Sequence, residues 1–162
     1  MRGKLMKTKL ATITVFLAGL FLATFAQAQG SLEGAWAVKE TVVTGGENPS
    51  TNMNPQPSLY LFTDRHYSIM FVPGTDPRPD SPENPGDFSD DEIIASFNTF
   101  VANSGSYETS GTTLSYSVIV ARVPGFMGEM PEVEYSIEED ALVLTATDDD
   151  SDVTTRTTLT RL

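Results

Sequence analysis

The chain has no cysteine, one histidine and one tryptophan in 162 residues. Without cysteine it forms no disulfide, and no thiolate can act as a nucleophile or a metal ligand. A single histidine, His66, cannot supply an ordinary zinc site, and the Gly-x-Ser-x-Gly motif of serine hydrolases is absent. We therefore expect no metal and no cofactor, identify no catalytic residue, and interpret His66 as an exposed turn residue.

Basic residues are scarce beyond the first nine positions. Four of the ten Lys and Arg lie there, so residues 29–162 carry six basic against 22 acidic side chains, a formal net charge of −16. Such a surface repels phosphate backbones and anionic lipid, so neither nucleic acid nor a membrane is expected as a partner. The run "DDDSD" at 148–152 has calcium-loop spacing at its start. It lacks the loop's later glycine and glutamate, and we interpret it as a solvated turn.

Residues 1–28 have the pattern of a secretory signal peptide. A basic start precedes an apolar run over 10–25, and Ala26-Gln27-Ala28 matches the small-x-small cleavage site. The apolar run is shorter than the ~20 residues that a membrane span needs. The sequence predicts cleavage before Gln29 and a periplasmic or secreted monomer with no lipid anchor. The remaining 29–162 form one domain.

Alternating apolar and polar residues, rich in β-branched and aromatic types, predict a mostly β domain. The predicted strands cover 35–43, 58–63, 66–72, 104–109, 112–121, 132–138, 141–147 and 153–161. One helix is predicted over 89–102, because Ser89 and Glu92 form a capping box ahead of Ile93 and Phe97. Its apolar face is expected to lie against another part of the protein. Eight mostly antiparallel strands with one short helix between the third and fourth predict a closed up-and-down barrel, with a β-sandwich as the alternative.

Several motifs resemble those of the bacterial lipocalin-like domain family. They are Leu32-x-Gly34-x-Trp36, Asp64 followed by Tyr67-Ser68, "FNTFVANSGSYETSG" at 97–111, and "VPGFMGEMPEVEYSIEEDALVLT" at 123–145. The resemblance implies an eight-stranded barrel in which Gly34 lets the chain approach closely and Trp36 closes one end. An arginine of the last strand, Arg161 or Arg156, would stack on the Trp36 ring.

The resemblance also implies an interior that holds a small hydrophobic or amphipathic molecule without changing it. We expect Tyr60, Tyr67, Phe71 and Tyr116 to face that interior. The loop residues Phe126, Met127 and Met130 are expected to rim the mouth of the barrel.

Strand alternation places Glu40 inward, unless a bulge leaves it in solvent. An inward Glu40 would need a partner, and Arg122 could supply one and so orient a polar ligand head. Two other functions stay open. One is a small β-barrel cyclase or isomerase acting on a hydrophobic substrate. The other is an acidic envelope module with a packed interior that binds proteins through its long loops.

Overall fold

The computed structural model describes residues 31–78 and 84–162. The predicted signal peptide, the predicted start at Gln29 and part of the proline-rich loop lie outside these described residues. The strands are β1 Gly34–Gly45, β2 Ser50–Asn52, β3 Ser58–Phe62, β4 His66–Phe71, β5 Val101–Ser110, β6 Thr113–Ala121, β7 Glu132–Glu138, β8 Ala141–Asp148 and β9 Val153–Arg161. Between β4 and β5 lies the helix α1, Asp90–Asn98, and short 3-10 turns cover Pro85–Asp87 and Pro124–Phe126.

The strands form one antiparallel sheet that closes on itself. Its order is β2-β1-β3-β4-β5-β6-β7-β8-β9, and β1 also pairs with β9. Eight strands, β1 and β3 to β9, therefore make a closed up-and-down barrel, which is the architecture of the lipocalins. The predicted fold class is confirmed. The short strand β2, which the sequence did not predict, is added beside the upper half of β1.

The two ends of the barrel differ. At the closed end β1 begins, β9 finishes, and tight turns join β3 to β4, β5 to β6 and β7 to β8. At the mouth the chain makes its longer connections, from β1 through β2 to β3, from β4 through α1 to β5, and from β6 to β7. The fully buried side chains Trp36, Leu114, Leu142 and Leu159 form the centre of the packed core. Burial of such side chains contributes about 1.5–3 kcal/mol each.

Two extra residues interrupt the ladders. On β1, Val38 pairs with Leu159 and Glu40 with Thr158, so Lys39 is a bulge residue without an opposite partner. On β6, Ile119 is the extra residue beside Ser104 and Gly105 of β5. Each bulge changes which residues face inward on the strand beyond it.

The helix begins as predicted and ends earlier. The Ser89 side chain accepts a hydrogen bond from the Glu92 amide, and the Glu92 carboxylate accepts one from the Ser89 amide. The helix stops at Asn98, because Val101 already pairs with Phe71 in the barrel wall. The expected packing of its apolar face is wrong, since Ile93, Ile94 and Phe97 are all exposed. Among the described residues no helix has the length and apolar character needed to span a membrane.

Candidate functional site

The barrel wall opens where β1 and β3 separate. They pair only through Gly34–Trp36 and Tyr60–Phe62. Just beyond the last pair, the amide of Val38 donates to the side-chain oxygen of Ser58 at 2.8 Å, in place of a backbone acceptor. Higher up, β1 pairs with β2 through Thr41–Val43 instead. A gap is thus left at the mouth between β1 and the start of β3.

Residues 50–57, which we call the mouth strap, cover this gap. The Asn52 side-chain nitrogen Nδ2 donates to the Gly74 carbonyl at 3.2 Å, and the Gln56 side-chain nitrogen Nε2 donates to the Thr75 carbonyl at 2.8 Å. The Val72 amide also donates to the Pro57 carbonyl at 3.1 Å. These three hydrogen bonds therefore hold the strap to the loop after β4. The strap covers a space at the mouth and does not fill it.

A cavity of about 310 Å³ lies under the mouth strap, inside the upper half of the barrel. This volume falls at the lower end of the range of small-molecule sites. Its walls come from β1, the strap, β3, β4 with the loop after it, and β9. They are formed by Val38, Thr41, Val43, Ser50, Asn52, Pro55, Gln56, Ser58, Tyr60, Phe71, Val72, Pro73, Gly74, Thr155 and Thr157.

The cavity wall combines apolar surface with neutral hydroxyls. Thr41 lies opposite Thr157 and Val43 opposite Thr155, where the inner faces of β1 and β9 meet. The rings of Tyr60 and Phe71 stack at a centroid distance of 6.1 Å on the facing wall. Among the described residues that form the cavity wall, none carries a charge. The site can hold an apolar body and offer hydrogen bonds, but it offers no ion pair.

Three inward tyrosines extend from the cavity wall toward the core, and we call Tyr60, Tyr116 and Tyr67 the tyrosine column. Tyr116 and Tyr67 meet edge to face with ring centroids 4.6 Å apart. Burial raises the pKa of Tyr60 to about 12 and also raises the pKa of Tyr67. The pKa of Tyr116 is raised by burial first, and then by the proximity of Tyr60 and Tyr67. All three hydroxyls therefore keep their protons at neutral pH and can donate.

Within the described ranges, the Tyr67 hydroxyl is buried and has no hydrogen-bond partner. A buried polar group usually has a partner, because leaving one unpaired costs about 1–3 kcal/mol. The tyrosine column therefore contains a donor that the described protein does not satisfy. Such a group suggests water or a ligand inside the barrel.

At the closed end the structure brings together the three residues that were expected to close the barrel. The Arg161 guanidinium carbon lies 4.1 Å from the centre of the Trp36 ring. Gly34 has φ +128°, and a Cβ built on it would lie 2.6 Å from an Arg161 nitrogen. Arg156, the other candidate, is exposed and donates to the Thr158 hydroxyl at 3.2 Å instead.

The expected pair of Glu40 and Arg122 does not form. Because Lys39 is a bulge residue, Thr41 faces the cavity, and Glu40 beside it lies on the outer face opposite Thr158. The inward placement of Glu40 is wrong for this reason, and the structure has the alternative, in which a bulge turns Glu40 away from the interior. Arg122 instead stacks on the Phe97 ring at 4.3 Å and donates to the Phe97 carbonyl, which ties the end of α1 to β6.

The predicted ligand residues divide into separate groups. Tyr60 and Phe71 lie on the cavity wall, while Tyr67 and Tyr116 belong to the core next to it. Phe126 and Met130 lie at the mouth end but border another, open depression beside the β6–β7 connection, and Met127 is exposed nearby. None of these three loop residues lies on the wall of the cavity under the strap.

The polar candidates that the sequence analysis set aside are on the surface. His66 is exposed at the start of β4. In the turn before β9, Asp148 accepts hydrogen bonds from the Ser151 hydroxyl and the Asp150 amide, which lower the pKa of its carboxyl group. In 31–78 and 84–162 no group of three or more His, Cys, Asp and Glu side chains is arranged to hold a metal ion.

Sequence reasoning missed most of the cavity wall. Thr155 and Thr157 lie in "VTTRTTLTR", where threonine occurs on both faces of the strand, so the pattern does not show which ones face inward. Thr41 and Val43 face inward only because of the bulge at Lys39. The strap residues Pro55 and Gln56 lie in a polar loop. Only the proline spacing of that loop, which restricts its backbone, hinted at a fixed position.

No protein-family model matches the chain, and no curated protein matches it. A solved lipocalin-like protein from Bacteroides uniformis is similar in structure, with 11% sequence identity and a TM-score of 0.46, over 82% of this chain and 100% of that chain. An uncharacterized protein from Bacteroides eggerthii shows 8% identity, the same TM-score and the same coverage. At this degree of similarity the matches carry no functional argument, so the function proposed below rests on the cavity.

Proposed function

We propose that this protein is an exported, non-catalytic binding protein that holds a small apolar or amphipathic molecule in the cavity under the mouth strap. The observation that carries the proposal is the cavity itself, about 310 Å³ bordered by β1, β3, β4, β9 and a hydrogen-bonded strap. The closed half of the barrel is packed around Trp36 and Leu159, whereas the cavity lies in the half nearer the mouth. Aliphatic and aromatic walls favour an apolar occupant.

The binding part of the proposal is tested with N-phenyl-1-naphthylamine, a neutral probe whose fluorescence rises in apolar surroundings. The mature chain should bind it in a saturable way. Thr157→Phe places a ring in the cavity and should weaken binding by at least about tenfold, since a closely filled space does not accept a second occupant. Phenylalanine is well tolerated in strands, so the fold should persist.

Thr158→Phe is the matched control. It is the same substitution one residue along β9, on the outer face opposite Glu40. It should leave probe affinity unchanged. The proposal fails if the wild-type protein binds no probe, or if Thr157→Phe and Thr158→Phe weaken binding to the same extent while both variants stay folded by circular dichroism.

The export part of the proposal rests on the basic and apolar pattern of residues 1–28. Protein recovered from the cell envelope or the medium should have the intact mass of a chain that begins at Gln29. A full-length species confined to the cytoplasm would contradict export, and it would leave the binding test unaffected.

A further inference from the structure

Charge is the first property of the cavity that restricts its ligand. Neither the cavity wall nor the buried core of the described residues contains a charged side chain. An ion that leaves water for such a site loses its hydration and gains no counter-charge, at a cost of several kcal/mol. The two residues that could have received an ionised head, Glu40 and Arg122, are on the outer face and under α1.

Hydrogen bonding is the second property. The cavity meets the tyrosine column at Tyr60, whose partner across the ladder is Trp36 near the closed end. Beyond it, the Tyr116 ring meets the Tyr67 ring edge to face, with the two ring centroids 4.6 Å apart. The Tyr67 hydroxyl is fully buried without a partner among the described residues. A protonated phenol that lacks a partner is satisfied by an acceptor oxygen.

The hydrogen bonds of the mouth strap favour a ligand whose polar group points away from the mouth and toward the tyrosine column. The strap's Asn52 and Gln56 amide nitrogens already donate to the carbonyls of Gly74 and Thr75. The Ser58 oxygen already accepts from Val38. These groups are occupied at the mouth, whereas the Tyr60 hydroxyl belongs to the inner part of the cavity wall, and the unpartnered Tyr67 hydroxyl lies in the core beside it.

Resting on the proposed function, we infer that the ligand is uncharged and presents a hydrogen-bond acceptor, such as a ketone or ester carbonyl, to the tyrosine column. Its apolar body would lie between the Phe71 side of the cavity and the Thr155 and Thr157 side. The proposed ligand class, small apolar or amphipathic molecules, is thereby restricted to neutral molecules that carry an oxygen acceptor. Fatty-acid anions and organic cations are excluded.

The test uses three naphthalenes of nearly equal shape, measured by isothermal titration calorimetry at neutral pH. 2-Acetylnaphthalene carries the neutral carbonyl, 2-isopropenylnaphthalene lacks the acceptor, and 2-naphthoate carries a negative charge. The ketone should bind about fivefold more tightly than the hydrocarbon, the factor expected for one neutral hydrogen bond. It should bind at least about tenfold more tightly than the carboxylate, because the anion has no partner inside.

Tyr60→Phe keeps the ring and removes the hydroxyl from the cavity wall, so it should remove the preference for the ketone over the hydrocarbon. Tyr107→Phe is the matched control, because the Tyr107 hydroxyl donates to the Thr63 carbonyl at the closed end. That variant should keep the full preference. Circular dichroism and thermal unfolding verify that both variants are folded.

The outcomes separate the two proposals. If 2-naphthoate binds as tightly as the ketone, or if Tyr60→Phe keeps the ketone preference, the inference about the ligand is overturned and the proposed function stands. If the hydrocarbon binds as tightly as the ketone, the acceptor is not recognised and the inference again fails alone. If none of the three binds, the proposed function fails and the inference fails with it.

Discussion

Arg161 and Trp36 hold the first and last strands of the barrel together from opposite ends of the chain. The guanidinium lies 4.1 Å above the indole ring, and its two terminal nitrogens donate to the carbonyls of Glu33 and Ser31 at 2.8 and 2.7 Å. The indole nitrogen donates to the Leu32 carbonyl at 2.9 Å. One arginine therefore fixes the segment that leads into β1 and covers the ring that closes the barrel.

Replacing Arg161 should destabilise the fold without changing the cavity at the other end. Arg161→Met keeps an apolar stem but loses the stacking and both hydrogen bonds, at an expected cost of about 2 kcal/mol in the free energy of unfolding. Arg156→Met, on the exposed side of the same strand, should cost less than about 0.5 kcal/mol. Urea unfolding measures both. Equal effects would show that the contact with Trp36 adds nothing to stability.

Gly105 should tolerate no side chain. A Cβ at this position would lie 1.9 Å from the backbone oxygen of Ser117, where the bulge at Ile119 brings β5 and β6 close together. Gly105→Ala must push the strands apart and should cost about 3 kcal/mol. Gly125→Ala, which has no neighbour within 4 Å of its Cβ, should be nearly neutral. A melting temperature that falls by the same amount in both variants would contradict the close approach at Gly105.

Stability should fall at alkaline pH. Burial raises the pKa of Tyr60 from 10.0 to about 12, so the folded chain holds this proton more tightly than the unfolded chain does. The resulting contribution is complete below pH 10 and is lost as the pH rises through 12, by roughly 3 kcal/mol in all. Burial also raises the pKa values of Tyr67 and Tyr116, so their ionisation should destabilise the fold in the same direction.

The measurement is urea unfolding of the wild-type protein and of Tyr60→Phe at several pH values from about 9 to 12. The wild type should lose more stability than the variant over this interval, because the variant lacks one of the titrating groups. Parallel curves would mean that the Tyr60 hydroxyl ionises in the folded chain as it does in water.

The sequence predicted the features that depend on local pattern. Alternation predicted the eight barrel strands, and the capping box at Ser89 predicted where α1 begins. The closed end was implied by the family resemblance of the motif around Gly34 and Trp36. The strands and the start of the helix are determined by neighbouring residues, and the structure has all three features in the predicted regions.

The cavity could not be predicted in the same way, because it depends on distant segments. The strand β2 is the polar tripeptide Ser50–Asn52, which has no apolar period and is a strand only because Thr41–Val43 offers it a free edge. The separation of β1 from β3 has no recognisable signal in the sequence of either strand. The bulge at Lys39 has no sequence signal either, although it decides that Thr41 and not Glu40 faces the cavity.

If Lys39 is the extra residue of the bulge, its deletion should be tolerated. Val38 and Glu40 already pair with the consecutive residues Leu159 and Thr158, so removing Lys39 joins two pairs that fit a regular ladder. Every side chain beyond it keeps its face, and the cost should stay within about 2 kcal/mol. Deleting Val42 instead breaks the alternation, because Thr41 and Val43, which both face the cavity, would become neighbours. That variant should fail to fold or should lose probe binding.

Circular dichroism, urea unfolding and N-phenyl-1-naphthylamine titration compare the two deletions directly. If the deletion of Lys39 is as damaging as the deletion of Val42, Lys39 is not the extra residue, and the inward positions assigned to Thr41 and Val43 must be abandoned.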